Sequence, residues 1–203
     1  MPHTKKRCDW CLSHAIDIEY HDIEWGVPVH DDLKHFEFLI LEGAQAGLSW
    51  LTVLKRREGY RKAFANFDPQ EVVRFTEKDI EKLLINPEII RNKLKVKAAI
   101  NNAQRFLEIQ KEFGSFDTYI WSFVDGTTVI NSPKTMQDIK ATSAESDALS
   151  KDLKKRGFSF VGSTIMYAHM QACGLINDHI VSCFRYKTPS VIASTRSNPS
   201  GTH

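Results

Sequence analysis

The fold of this chain is decided by residues 142–174, which read TSAESDALSKDLKKRGFSFVGSTIMYAHMQACG. Ser143 or Ser146 can cap a helix at its start, and Gly157 supplies the left-handed residue that ends it. The next residues reverse the chain, and a second helix is predicted from about 164 to 173. The stretch therefore predicts two helices joined by a tight hairpin within about 30 residues.

Helical signals also fill the chain before this stretch. Asp31 or Asp32 can cap a helix, and Thr76 with Asp79 forms a variant capping box that opens a short helix. Residues 88–110 carry apolar side chains three and four positions apart. This spacing predicts one long amphipathic helix.

Strand signals are weak by comparison. No run of residues alternates between apolar and polar with a period of two. The single predicted turn or hairpin covers residues 124–130 and is centred on Asp125-Gly126. We therefore predict an all-α fold.

Length and composition indicate one soluble domain. The 203 residues are 42% hydrophobic and 26% charged, which is close to the globular average, and no apolar run reaches the ~18 residues of a membrane span. Residues 1–7 are polar and basic with no apolar segment behind them, so we expect no secretory signal and a reducing, cytoplasmic location. Residues 187–203 are rich in Ser, Thr and Pro and are predicted to be disordered.

Basic residues are clustered although the net charge is only +2. The clusters are Lys55, Arg56, Arg57, Arg61 and Lys62; Arg91, Lys93, Lys95 and Lys97; and Lys151, Lys154, Lys155 and Arg156. Each cluster by itself is typical of the solvated face of a helix. Three clusters on one face would instead form a surface that binds phosphate groups.

The four cysteines of a cytoplasmic chain favour thiols or metal ligands over disulfides. His179 and Cys183 are four positions apart, so on one helical turn they can hold the same ion. With Cys8 and His21 they would form a closed tetrahedral site, which is typical of structural zinc. Cys11 could replace Cys8, and ordinary buried thiols with a hydrogen-bonded histidine are the alternative.

Glu42 is an unusual carboxylate because it lies near the end of an apolar helix pattern, eight positions before Trp50. A charge there is costly unless it has a partner or a task. The alternative is a helix-terminal glutamate that pairs with a lysine or stays in water. Glu37, in the same run, is predicted to lie on the exposed face of the helix.

Large aromatic residues crowd the first quarter of the chain beside His21 and Glu42. They are Trp10, Tyr20, Trp25 and Trp50. If they converge, they can stack on a planar ring and above all on a cationic one. Core packing is the alternative for each of them.

Four segments together resemble the DNA-3-methyladenine glycosylase I family. They are YHDIEWGVP at 20–28, LEGAQAGLSW at 41–50, LSKDLK at 149–154 and MQACGLINDH at 170–179. Several long blocks in the same order are far more specific than any single motif, and the likeness extends from Cys8 to Cys183.

The resemblance implies a helix-hairpin-helix DNA glycosylase fold with two helical lobes. It implies one glycosylase unit in residues 1–186, with a helical core at about 31–175 and terminal segments at about 1–30 and 176–186. One structural zinc ion would join those segments. Its ligands would be Cys8, His21, His179 and Cys183.

The resemblance also implies a monomeric, monofunctional enzyme that hydrolyses the N-glycosidic bond of 3-methyladenine in alkylated double-stranded DNA. The lesion must be turned out of the duplex before its bond can be reached. Methylation at N3 makes adenine a cation and a good leaving group, so little acid catalysis is required. Glu42 would supply the counter-charge, and Tyr20, Trp25, Trp50 and Trp10 would stack around the base.

Contacts with the duplex follow from the same resemblance. Gln45 or Leu48 would fill the space left in the base stack. Backbone amides of the hairpin would hold a phosphate group. The hairpin residues are Phe160, Val161, Gly162, Ser163 and Thr164.

Asp178 is the nearest match to the catalytic aspartate that helix-hairpin-helix glycosylases usually carry beyond the hairpin. Because it is displaced towards the hairpin, we do not expect it to act in catalysis; its other candidate role is to orient His179. Three alternatives stay open from the sequence. They are a DNA-binding protein without activity, a zinc-dependent interaction module and a glycosylase for other alkylated purines.

Overall fold

This computed structural model describes residues 5–186, so the disorder predicted for residues 187–203 lies outside the described residues. The helices within that range are α1 (Ala15–Ile23), α2 (Asp32–Gln45), α3 (Trp50–Leu54), α4 (Arg57–Ala63), α5 (Pro69–Val72), α6 (Glu77–Ile85), α7 (Lys93–Phe113), α8 (Phe116–Trp121), α9 (Ala144–Lys155) and α10 (Ser163–Ala172). Single 3-10 turns cover Asp9–Cys11, Ala65–Phe67, Ser122–Val124 and Met136–Asp138. The strands described are β1 (Val129–Ile130) and β2 (Ile176–Asn177). The prediction of a helical fold is confirmed.

Helix α2 lies in the middle of the core. Every residue from His35 to Ala44 is buried, because α7, α8 and α10 pack around this helix. Phe106 stacks on Phe116 with ring centroids 4.2 Å apart and ties α7 to α8. As a result, α2 carries the Glu42 carboxyl into the interior along with its apolar side chains.

Two helix starts have the caps that the sequence predicts. The Asp31 side chain accepts a hydrogen bond from the Lys34 amide at the start of α2. At α6, Thr76 and Asp79 form a reciprocal capping box. Each cap satisfies amides that have no partner within the helix.

The long helix α7 begins later than predicted, at Lys93 rather than residue 88. The Asn86 side chain accepts from the Glu88 amide, and the Tyr60 hydroxyl accepts from the Ile90 amide, so this segment is held in a non-helical form. The Asn92 side chain then caps the helix. Side-chain competition for backbone amides therefore sets the boundary.

Of the turn or hairpin predicted at residues 124–130, the turn is present and the hairpin is not. Asp125 and Gly126 do form a left-handed turn, but β1 pairs with β2 in parallel, with Val129 opposite Ile176. The partner strand therefore comes from the segment after α10. A local turn signal cannot predict a pairing across that many residues.

Helices α9 and α10 are joined by the predicted hairpin. Ser143 and Ser146 act together, since they form a capping box at the start of α9. The side-chain amide of Asn102, on α7, donates a hydrogen bond to the Ser159 carbonyl and accepts one from the Ser159 backbone N–H, at 2.9 Å each. These bonds fix the hairpin against α7.

Of the helices in residues 5–186, none is both long enough and apolar enough to span a membrane.

Candidate active site and metal centre

A cavity of about 230 Å³ lies where α1, α2, α3 and α10 meet. Its walls are Trp10, Tyr20, Trp25, Glu42, Gln45, Trp50, Met136, Ile139, Ala168 and Gln171. The four aromatic residues singled out from the sequence thus surround the same space as Glu42. We call it the aromatic pocket.

The aromatic rings of this pocket support one another at steep angles. Trp10 meets Trp25 edge-on with centroids 5.2 Å apart, and Tyr20 lies 5.3 Å from Trp50. Trp10 also contacts Tyr20 at 6.3 Å. Such packing holds the rings in fixed positions, so the pocket is pre-shaped for a flat ligand.

The Glu42 side chain is 4% exposed and has no ion-pair partner among residues 5–186. Burial raises its pKa from 4.5 to about 8, because a desolvated carboxylate is disfavoured. The carboxyl is therefore mostly neutral at pH 7 in the empty pocket. A cation placed beside it would favour the ionised form.

Two indole N–H groups at the pocket lack partners. Trp10 Nε1 and Trp50 Nε1 are buried and make no hydrogen bond within residues 5–186. An unsatisfied buried donor costs about 1–3 kcal/mol. These donors are groups that a bound ligand can satisfy.

A buried group of two cysteines and two histidines lies next to the aromatic pocket. It consists of Cys8, His21, His179 and Cys183. His179 Nδ1 is 3.7 Å from Cys8 Sγ and 3.6 Å from Cys183 Sγ, and His21 Nε2 is 3.5 Å from Cys183 Sγ. A tetrahedral ion with bonds of about 2.0–2.3 Å separates its ligand atoms by roughly 3.3–3.8 Å. The group therefore fits a tetrahedral metal ion and joins the N-terminal segment to the C-terminal one, as predicted.

Neighbouring groups leave the correct nitrogen of each histidine facing the thiols. His21 Nδ1 is 2.9 Å from the Asp22 carboxylate, which is also paired with Arg7. His179 Nε2 is 3.0 Å from the carbonyl oxygen of Trp25. This outer contact orients a ligand and at the same time fixes Trp25, a wall of the aromatic pocket.

Two expectations about the cysteine segment need correction. Residues 178–180 are irregular and residues 181–186 form turns rather than a helix, and the Cys183 amide donates to the Ile180 carbonyl at 2.7 Å. Cys11 is outside the group, because its thiol donates to the Cys8 carbonyl at 3.1 Å. The four-residue spacing brings His179 and Cys183 together through a turn instead of a helix.

Asp178 does not orient His179. Its buried carboxylate accepts hydrogen bonds from Tyr167 and Gln171, both at 2.7 Å, and from Asn131 at 2.8 Å. The aspartate is therefore bonded to one wall residue of the aromatic pocket, Gln171.

The prediction that Glu37 is exposed is wrong. It is 3% exposed and accepts hydrogen bonds from Arg57 at 2.7 Å and from Arg61 at 2.8 Å. Arg57 also donates twice to Glu24. Burial by itself would raise the pKa of Glu24, but the Arg57 hydrogen bonds and the Lys34 charge lower it to about 2. No residue near Glu37 in the sequence signals this pairing, because both arginines belong to α4.

These ion pairs line a larger cleft of about 610 Å³. Its charged residues are Glu24, Asp31, Lys34, Glu37, Arg57, Glu58 and Arg61. Because Glu24 and Glu37 are already bound to arginine and lysine, they offer no unpaired charge to a cationic ligand. Glu42 in the smaller pocket has no such partner and can ionise beside a cation.

The predicted DNA-contacting loops come together beside the aromatic pocket. A cavity of about 270 Å³ is lined by Gln45, Leu48 and Thr164, and it shares Glu42 with the aromatic pocket. Leu48 is 42% exposed, and Gly47 at φ +77° reverses the chain just before it. Val161 is the exception within the hairpin. The residue is 2% exposed and packs in the core, and its carbonyl accepts a hydrogen bond from the Ser150 hydroxyl at 2.7 Å.

The basic clusters are less free than the sequence suggests. Arg57 and Arg61 are held in ion pairs, and Arg156 is paired with Asp152 and Glu112. Lys95 donates to the carbonyls of Ala44 and Ala46 at 2.8 and 2.7 Å, at the end of α2. The remaining lysines of these clusters are exposed.

A buried carboxyl without a counter-charge, enclosed by indole and phenol rings, defines a protein that binds a flat, positively charged ring. The family described as methyladenine glycosylase matches residues 10–186. The chain belongs to this methyladenine glycosylase family.

Individual relatives agree with that assignment. The chain is 49% identical over 181 residues to DNA-3-methyladenine glycosylase 1 of Escherichia coli K12, covering 89% of this chain and 97% of that protein. A crystal structure of 3-methyladenine DNA glycosylase I is 51% identical with a TM-score of 0.86, covering 88% of this chain and 98% of that one. A variant of a 3-methyladenine DNA glycosylase I in complex with 3-methyladenine is 35% identical with a TM-score of 0.87, covering 90% and 98% of the two chains.

Proposed function

We propose that this chain excises 3-methyladenine from alkylated double-stranded DNA by holding the extruded base in the aromatic pocket. The observation that carries the proposal is Glu42, which is buried without a partner and whose pKa is raised to about 8. Such a carboxyl favours a cation over a neutral base of the same shape.

Selection of the cationic base comes from its surroundings. The ring can stack between Trp10, Tyr20, Trp25 and Trp50, whose π faces attract positive charge. The ionised Glu42 carboxylate accepts a hydrogen bond from the exocyclic amine of adenine. Guanine carries a carbonyl oxygen at that position, so the same carboxylate disfavours it.

Bond cleavage needs little proton transfer, because the alkylated base leaves as a neutral molecule. Water adds at the anomeric carbon of the sugar as the bond to the base nitrogen breaks and releases one proton, which carries away the positive charge of the base; the product is an abasic site. No lysine nucleophile takes part in this route, so the DNA strand stays intact.

The duplex is held by the two loops next to the pocket. Leu48, at the exposed tip after α2, enters the space left by the extruded base, with Gln45 beside it. The first-turn amides of α10 have no partner within the helix and bind a phosphate group. These amides belong to residues Ser163 and Thr164, after Phe160 and Gly162 in the hairpin.

A single structural zinc ion is the metal we propose for the Cys8, His21, His179 and Cys183 group. Two thiols and two imidazoles are donors that zinc prefers, and a four-ligand closed set leaves no position for catalytic water. When bound, the ion supplies a cross-link between the terminal segments. The residues themselves fix the aromatic wall, since His179 is bonded to the Trp25 carbonyl.

We further propose that residues 1–186 form the whole glycosylase unit, which acts as a monomer, and that the enzyme works in the cytoplasm where bacterial DNA is found. A chain ending at residue 186 is expected to keep full base release. Sedimentation of the full chain checks its monomeric state.

Base release from methylated duplex DNA tests the proposal. Purified protein is incubated with the DNA, and the free bases are separated by chromatography. We expect 3-methyladenine to be released by the wild type and strongly reduced for Glu42→Gln. Release of 7-methylguanine in its place would overturn the specificity, and release of no base by folded protein would overturn the activity.

A further inference from the structure

A second cluster of metal-ligand residues is buried in the core, apart from the first. His35 of α2 and His169 of α10 meet Cys173, the residue that ends α10, and all three side chains are 0% exposed. One donor atom from each lies within 4.8 Å of the others. We propose that this group binds one thiophilic d¹⁰ metal ion, Zn²⁺ or Cu⁺.

The geometry of the cluster suits a three-coordinate ion. His169 and Cys173 are one helical turn apart, and His169 Nε2 lies 3.6 Å from Cys173 Sγ. Bonds of about 2.0–2.3 Å in a trigonal plane place donor atoms roughly 3.5–4 Å apart. The His35 ring lies nearly parallel to that of His169, at 29°. Because the donor atoms all lie within 4.8 Å of one another, a side-chain movement of about 1 Å or less brings them to these distances.

Unsatisfied ring nitrogens distinguish a metal site from simple packing. His35 Nδ1 and His169 Nδ1 are buried and have no hydrogen-bond partner within residues 5–186. A hydrogen bond between Cys173 and His169 Nε2 accounts for neither of them. Unsatisfied polar atoms are rare in a native core. An ion bound by His35 Nδ1 would give one of these two nitrogens a partner.

An outer carboxylate orients His35 as it would a metal ligand. His35 Nε2 is 3.4 Å from Asp117 Oδ1, so Nδ1 is the ring nitrogen left to bind an ion. Metal-bound histidines usually have their other nitrogen held by a carboxylate in this way. His30, which is exposed, contacts the same Asp117 carboxylate at 3.0 Å. This line of polar groups connects the cluster to the surface.

Metal stoichiometry of paired variants tests the inference. Wild type, His169→Phe and Cys173→Ser are loaded with Zn²⁺, or with Cu⁺ under anaerobic reducing conditions, then freed of excess ion and measured by elemental analysis. We expect each variant to bind one ion fewer than the wild type under at least one of the two conditions. The condition that shows the difference identifies the ion.

Controls separate this group from the first one. Cys11→Ser removes a buried thiol that belongs to neither cluster and should leave both counts unchanged. His179→Ala should remove the ion of the first group. Adding Cys173→Ser to this variant should lower the metal content by the same amount as in the wild type. Because His169→Phe preserves the ring shape, it remains informative if Cys173→Ser folds poorly. Equal metal content in wild type and a folded His169→Phe variant, for both ions, would overturn the inference whether or not base release is observed.

Discussion

Replacing Glu42 by Gln should make the protein more stable and less active at the same time. The amide keeps the size of the side chain and removes only its ability to ionise. The carboxyl has a pKa of about 8 when folded, compared with 4.5 as its ordinary value. Between these two pH values the unfolded chain has released the proton while the folded chain still holds it.

The sign of the pH dependence follows from that difference. Because the folded state binds more protons, its stability falls as pH rises from about 4.5 to 8 and levels off above. At pH 7 the penalty amounts to about 3 kcal/mol, and at pH 5 it is about 1 kcal/mol. The Glu42→Gln variant should lack this penalty, so its free energy of unfolding at pH 7 should be up to about 3 kcal/mol higher than that of the wild type.

Activity should change in the opposite direction. Loss of a counter-charge aimed at a cationic base should lower the rate of 3-methyladenine release by about 10²-fold. For the wild type, kcat/KM should rise with pH towards an apparent pKa near 8, since this ratio reports ionisation in the free enzyme. The same profile should be flat for the variant.

Urea unfolding at pH 5, 7 and 8 and base release over the same range measure both effects. The reasoning would be refuted by a variant that is no more stable than the wild type at pH 7 and releases the base at an unchanged rate. Glu37→Gln breaks a buried ion pair instead and serves as the contrasting control, because it should lower stability.

Three further substitutions test the parts around the pocket. Gly174→Ala should destabilise the fold by about 2 kcal/mol or more, because its φ is +70° and a Cβ would lie 2.3 Å from neighbouring backbone. Gly47→Ala, at φ +77° with open space around it, should lower the stability by about 1 kcal/mol. Thermal melts compare the two variants. His179→Ala should lower metal content and reduce the melting temperature by about 6 °C or more; an unchanged melt would show that it is no ligand. Lys95→Met frees the last carbonyls of α2 and should raise KM for DNA several-fold more than Lys93→Met, as measured by base release.

The sequence predicts features whose causes are local. The caps at Asp31 and Thr76 and the hairpin after Gly157 depend on residues within one turn of each other. Such signals are complete in a short window. The family resemblance adds what a window cannot, which is the convergence of distant ligands such as Cys8 and Cys183.

Features that depend on tertiary contacts were missed. Nothing near Glu37 in the sequence reveals that Arg57 and Arg61 lie over it, so the burial of this charge was not predictable from the pattern of α2. The pairing of β1 with β2 was not predicted for the same reason. The cluster of His35, His169 and Cys173 likewise joins α2 to α10 across a long stretch of chain.

The dependence of the Trp25 wall on His179 has a consequence for the newly made protein. A ribosome adds this histidine and Cys183 after the last helix described within residues 5–186, which ends at Ala172. Until they emerge, the backbone carbonyl of Trp25 lacks its donor and the thiol of Cys8 lacks its companion. Premature termination before residue 179 should therefore yield helical chains without a finished cavity, so translation must pass this residue before repair can begin.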